Sequence, residues 1–217
     1  MMAVGDSIKS PIVGKLSQEK IKELTVEAAL LQNRCARLEN AIILIDSLEK
    51  STVRYAVEIP SGDEGETTYD KDAKEIVFRV HGPANFIHEI THGGQFEKGK
   101  LAYKKDTGGA FGNDAKDEIE AYSMQFAFEP DSVKGLRSSS IPSSFTAITE
   151  TWLRDLTKAD GSKPYAKKGS AHLALKTITI YSGRRRILKA YRYYPDRKTR
   201  WPAGYKTLAD ANMYYKQ

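Results

Sequence analysis

"FIHEITHGGQF", Phe86 to Phe96, carries two of the four histidines of this 217-residue chain, set four residues apart with a glutamate directly after the first. On a helix, residues four apart differ by roughly 40° around the axis and by about one turn of rise. His88 and His92 therefore point the same way, and both imidazoles can reach one metal ion. Glu89 points away by roughly 100°. It is badly placed to share that coordination position but well placed to reach a water held there, which is why an H-E-x-x-H segment sets a general base beside two ligands. Ile90 and Thr91, between the ligands, are uncharged, as a buried metal-binding helix requires.

The flanks support this reading. Upstream, "TTYDKDAKEIVFRV" reads as a hairpin that turns around Asp70 to Ala73 and places Ile76, Phe78 and Val80 on one face of its second strand. Pro83 suits the first turn of a helix, where its missing N–H costs nothing, and Gly93 and Gly94 read as the helix end. A strand followed by the histidine helix offers a sheet edge along which an extended peptide can pair.

A catalytic zinc takes three protein ligands and keeps a fourth position for water. A third histidine in the pattern H-E-x-x-H-x-x-G-x-x-H is excluded, because Gln95 stands at the glycine and Lys98 at the histidine. Downstream, "AKDEIEAYSMQFAFEP" is helical until Pro130, with Asp117 and Glu118 at its N-terminal end, where acids are favoured. Glu118 and Glu120 lie roughly 200° apart on such a helix, so only one can face the metal. Ala121, three residues after Glu118, would let the two helices approach closely. Glu118 is the expected third ligand and Glu120 the alternative. A donor to the oxyanion of a hydrolytic reaction could come from His81, Tyr122, Tyr103 or His172, although His172 lies among alternating apolar residues and reads as structural.

Ser17 to Lys50 shows apolar residues at helical spacing: Ile21, Leu24, Ala28, Leu31, Cys35, Leu38, Ile42, Ile45 and Leu48. It reads as one long or two short helices packed by that face, with Ser17 as cap and the lone Cys35 as a small core residue. "TVRYAVEIP" alternates as a strand, with Val53, Tyr55, Val57 and Ile59 on one side. "KKDTGGAFGND" reads as a glycine-rich loop, "SSSIPSSF" as a linker and "TAITETWLRDL" as a further amphipathic helix. The expected organisation is an N-terminal helical segment (1–50), a core (51–157) and a basic C-terminal region (158–217) packed on the same domain. The fold class is α+β: a small, mostly antiparallel sheet packed on the histidine helix and the glutamate-bearing helix.

Charge is uneven. Residues 158–217 carry 15 Lys+Arg against 3 Asp+Glu, whereas the first 157 residues carry 19 against 25. The basic stretch interleaves arginine with tyrosine, a composition that suits phosphate contacts and base stacking. No nucleic-acid motif accompanies it, so a solvated basic face is the preferred reading and nucleic acid or an acidic protein the alternative partner. One cysteine excludes an internal disulfide and a cysteine-based metal cluster. The first residues lack a signal-peptide pattern, and no apolar run approaches 18 residues, so no membrane association is expected and the cytoplasm is the default location.

"HEITH", followed 26 residues after His92 by "ExxA" at Glu118 to Ala121, resembles the gluzincin group of zinc metallopeptidases, whose third ligand is a glutamate on the following helix. More closely, "TTYDKDAKEIVF", "FIHEITHGGQFEKGKLAY" and "GGAFGNDAKDEIEAYSMQFAF" resemble metallopeptidase domains at the C-terminal ends of Bacteroidetes Rhs-type polymorphic toxins. The likeness covers Thr67 to Phe128, with "ITETWLRDL" a weaker match. It implies a zincin-like fold, Zn2+ as cofactor and a peptide or protein as substrate. It makes His88, His92 and Glu118 ligands and Glu89 the base, and it allows delivery as a toxin-like bacterial effector. Gln95 and Gln125 match its pattern without an assigned role. Gluzincins follow "ExxA" with Asp or Asn as partner of a ligand histidine; Tyr122 stands at that place here.

Overall fold

The computed structural model describes residues 16–61, 65–111, 113, 115–136, 138, 140–158, 160–165 and 213–214. His172 and almost all of the basic Tyr/Arg-rich stretch lie outside the described residues, and so do the expectations attached to them.

The chain is a mixed α+β protein. Helix α1 (Gln18–Glu49) leads into strand β1 (Tyr55–Glu58), and the hairpin β2 (Glu66–Asp70) and β3 (Glu75–Arg79) runs into helix α2 (Pro83–Glu97). A second hairpin, β4 (Ala102–Lys104) and β5 (Ala110–Phe111), precedes α3 (Ala115–Phe128). Two short helices, α4 (Pro130–Lys134) and α5 (Glu150–Asp155), follow, and β6 (Met213–Tyr214) closes the order.

The first sheet has the order β1-β3-β2: β3 pairs antiparallel with β2 and parallel with β1, so the sheet is mixed rather than mostly antiparallel. The central strand is buried on both faces, with Ile76, Val77 and Phe78 each at most 2% exposed. The second sheet, β5-β4-β6, is antiparallel, and the expected glycine-rich loop forms the turn of its first hairpin at residues 105–109, with the short strand β5 following. Tyr214 of β6 stacks on Tyr69 and on Phe96, so the far end of the sequence seals the core beside α2.

Gly93 and Gly94 do not end α2; the helix runs on to Glu97, and the glycines lie inside it. A Cβ on Gly93 would stand 2.7 Å from the Phe78 ring, and one on Gly94 would stand 2.5 Å from Leu44. Their absent side chains let β3 and α1 press against the histidine helix, which outweighs a helix penalty of about 1 kcal/mol per glycine. The stop falls at Gly99, whose φ of 64° continues into bonds from the Gly99 and Lys100 N–H groups to the Phe96 and Gln95 carbonyls.

Helix α1 is a single helix capped by Ser17, whose side chain accepts from the Lys20 N–H. Its packed stripe is rotated about one residue from the expected one. The expected Ile45 and Leu48 do meet the domain, joined by Leu30, Ala41 and Leu44, whereas Leu24, Leu31 and Ile42 are exposed and so is Cys35. Two arginines on the packed side explain the shift. Arg34 donates through Nε and Nη2 to the carbonyls of Ala127 and Phe128, capping the C-terminal end of α3, and Arg37 lies 4.5 Å over the Phe145 ring. Strand β1 shows a similar departure: Val53 and Tyr55 pack inward, but Val57 and Ile59 are exposed at the sheet edge.

Candidate metal centre

Helices α2 and α3 pack side by side and bring three ligand-type side chains together. His88, His92 and Glu118 are all buried, and their donor atoms lie within 4.8 Å of one another. The two Nε2 atoms are 3.3 Å apart, and Oε2 of Glu118 is 3.7 Å from each. Ala121, on the same helix as Glu118, is fully buried where a larger side chain would hold the helices apart.

The opposite ring nitrogens settle the tautomers. His88 Nδ1 lies 3.1 Å from Gln125 Oε1 and His92 Nδ1 lies 2.8 Å from Gln95 Oε1. Each glutamine is oriented by its own amide N–H: Gln125 donates to Ser132 Oγ, and Gln95 donates to the Asp117 carbonyl and to Glu120. The oxygens face the rings, so both Nδ1 atoms carry protons and donate. In the neutral rings both Nε2 atoms are then bare lone pairs aimed at each other inside the protein. Such an arrangement repels unless a cation or a shared proton stands between them. Two nitrogens bound to one tetrahedral ion at about 2.0–2.1 Å would be separated by about 3.3–3.4 Å. The donor set and its spacing fit a metal ion, and this buried group can hold one.

Charge in the site follows the same logic. Burial disfavours the Glu118 carboxylate, but His92 and His88 beside it and the bond from Asn113 outweigh that and hold its pKa down at about 2. Burial also works against a charged His88; Glu118 and Glu89 overcome it and raise its pKa. Asn113 Nδ2 donates to Glu118 Oε1 at 2.5 Å, and the Tyr165 hydroxyl donates to Oε2 at 3.0 Å. Glu120 turns away to Lys100 at 2.7 Å and to Gln95, and it is only half-buried.

Glu89, also buried, is held from the sheet and from its own helix. Thr67 on β2 donates to its Oε2 at 2.7 Å, and Asn85, one turn earlier, lies 3.3 Å from Oε1. Glu89 shares with the three ligand-type residues a cavity of about 260 Å³ that is also lined by Thr67 and Tyr103. The Tyr103 hydroxyl is buried and has no hydrogen-bond partner among the described residues. Burial, aided by Glu89, pushes its pKa well up, so it stays protonated.

Tyr122 packs its ring edge-on against His88 with centroids 4.4 Å apart, while the Nδ1 atoms of both histidines are served by the two glutamines. His81 is exposed in the turn before α2, where its backbone N–H donates to Asn85. Thr67, Asn113 and Tyr165 carry no spacing signal that ties them to the motif, whereas Asn85 stands four residues before Glu89 on the same helix. Gln95 and Gln125 do carry one: Gln95 is three residues after His92, and Gln125 is seven after Glu118, two turns along the same face.

No protein-family model, curated protein or solved structure matches the chain. No helix among the described residues is long and apolar enough to cross a membrane.

Proposed function

We propose that the chain is a zinc-dependent metallopeptidase, of zincin-like fold and gluzincin type, that hydrolyses peptide bonds. One observation carries the reading: two buried imidazoles, each with Nδ1 committed to a glutamine, turn bare Nε2 atoms toward one point beside a buried carboxylate. His88, His92 and Glu118 would hold the ion. When bound there, Zn2+ lowers the pKa of a coordinated water and polarises the scissile carbonyl.

The remaining work falls to the chain. Glu89, at right angles to the ligands on the same helix, is placed to take a proton from that water and return it to the leaving amine. Thr67 and Asn85 hold the carboxylate from both oxygens, so it need not reorganise as the proton moves. The Tyr103 hydroxyl, buried at the cavity and without a partner among the described residues, is a preformed donor for the oxyanion. Beyond Tyr69, whose N–H is held by the Gly108 carbonyl, the start of β2 at Glu66 and Thr67 lies beside the cavity and suits an extended peptide backbone.

The test is Glu89→Gln in the full chain, assayed for metal content and for cleavage of a peptide library. The variant keeps its zinc while cleavage falls by about 10²–10⁴-fold. Equal cleavage by the variant and the native chain would remove Glu89 from the chemistry.

A further inference from the structure

Helix α1 carries two apolar stripes; the domain uses one along its length and touches the other only at Ile45. The stripe at Leu30, Arg34, Arg37, Ala41, Leu44 and Leu48 packs against α2 and α3. The other repeats in heptads, with Ile21, Ala28, Cys35 and Ile42 at the first (a) position and Leu24, Leu31, Leu38 and Ile45 at the fourth (d). Leu24 is 40% exposed, Leu31 48% and Ile42 62%, and Cys35 is exposed as well; Ile45, at the C-terminal end of the seam, also packs on the domain core, and Ile21, Ala28 and Leu38 are half-buried. It runs for three and a half heptads, about 36 Å of helix axis. Its N-terminal half has little tertiary support, since residues 22–27 are all exposed. A helix stretch so exposed owes little to packing, which is where most helical stability in proteins comes from.

We propose that this seam pairs with the same seam of a second copy to form a parallel, two-stranded coiled coil. Ile at two of the four a positions with Leu at three of the four d positions is the combination that favours two parallel strands. A two-fold pair is self-complementary by construction, so every apolar residue of the seam meets its equivalent. Charge selects the direction. In the parallel pairing the g-position residue Arg34 lies opposite the e-position residue Glu39 of the second copy; the antiparallel pairing that aligns the same apolar layers sets Arg34 beside Arg34. Arg34 is already anchored on the α3 carbonyls, so its charge is fixed at the flank of the seam. The domain occupies the c and g flank of each helix, about 100° from the seam, and two-fold symmetry sends the two domains to opposite sides.

Sedimentation velocity of the full chain tests this. The expected particle has twice the 24.3 kDa chain mass. The double substitution Leu24→Glu, Leu31→Glu halves that mass while leaving the thermal transition of the domain in place, because neither side chain packs in the domain core. Mild oxidation links Cys35 to Cys35 in the parallel dimer, where equivalent a positions face each other, and the double variant loses the link. A chain that stays monomeric at the highest concentration it tolerates overturns the proposal and assigns the seam to another segment of the same chain. A dimer that survives both glutamates, or one that gives no Cys35 disulfide, overturns it equally.

Discussion

His88 and His92 turn their Nε2 atoms toward each other across 3.3 Å, each with its Nδ1 proton committed to the oxygen of a glutamine amide. Two partners thus fix the tautomer of both rings before any ligand arrives. The glutamines come from different helices, Gln95 from α2 and Gln125 from α3, so the packing of the two helices is what sets the donor geometry.

The glutamines are therefore expected to matter for metal affinity without touching the metal. Gln95→Leu and Gln125→Leu each lower zinc affinity by about 10–100-fold, read by competition with a chromogenic chelator. Glu120→Gln keeps an oxygen for the Gln95 amide, which the Asp117 carbonyl also holds, and gives up only the pair with Lys100, so it leaves affinity within a factor of about two.

Thr67 bonds Glu89 and no ligand. Thr67→Val leaves zinc affinity unchanged and lowers kcat by about tenfold with little change in KM, a loss of about 1.4 kcal/mol in the transition state, the size of one hydrogen bond to a charged group. Thr67→Ser restores most of the rate. Steady-state kinetics on a cleaved peptide separates these outcomes.

Zinc affinity is expected to fall with acid because of the histidines and not because of Glu118. Metal binding requires neutral imidazole, and His88 in the metal-free protein has a raised pKa, so protons compete from above the ordinary histidine range downward. Glu118 stays ionised down to about pH 2 and contributes no step in that window. Isothermal titration across pH should show affinity rising with pH through the neutral range and then levelling. Without metal the signs divide. Glu118, with its lowered pKa, adds stability that is present above the ordinary carboxylate range and lost as pH falls toward 2. His88 adds stability that is present below the ordinary histidine range and lost as pH rises through its raised pKa.

The glycines inside α2 are expected to be sites of close approach. Gly93→Val drives a branched side chain into the Phe78 ring, where even a Cβ would lie at 2.7 Å, and destabilises the fold by about 1–3 kcal/mol in urea unfolding.

The sequence made the histidine helix, the hairpin before it and the α3 helix legible, because periodicity and the fixed 40° offset of positions four apart are local properties. The glycine pair was misread for a reason that is not local: a glycine ends a helix when the backbone needs positive φ, but here it admits Phe78 and Leu44 from elements remote in sequence. The seam on α1 was misassigned because one helix carries two apolar stripes and a single sequence does not say which of them the domain uses. Partners such as Thr67 and Tyr165 reach Glu89 and Glu118 from 22 and 47 residues away, and only the fold brings them there.

Metal analysis of the purified full chain, beside a His88→Ala, His92→Ala double variant prepared identically, tests the site most directly. The native chain should hold about one zinc per chain and the variant less than about a tenth of that, with the folded domain retained in both. A native chain with less than about a tenth of an equivalent at neutral pH, or a variant that keeps as much metal as the native chain, would contradict a zinc centre at His88, His92 and Glu118.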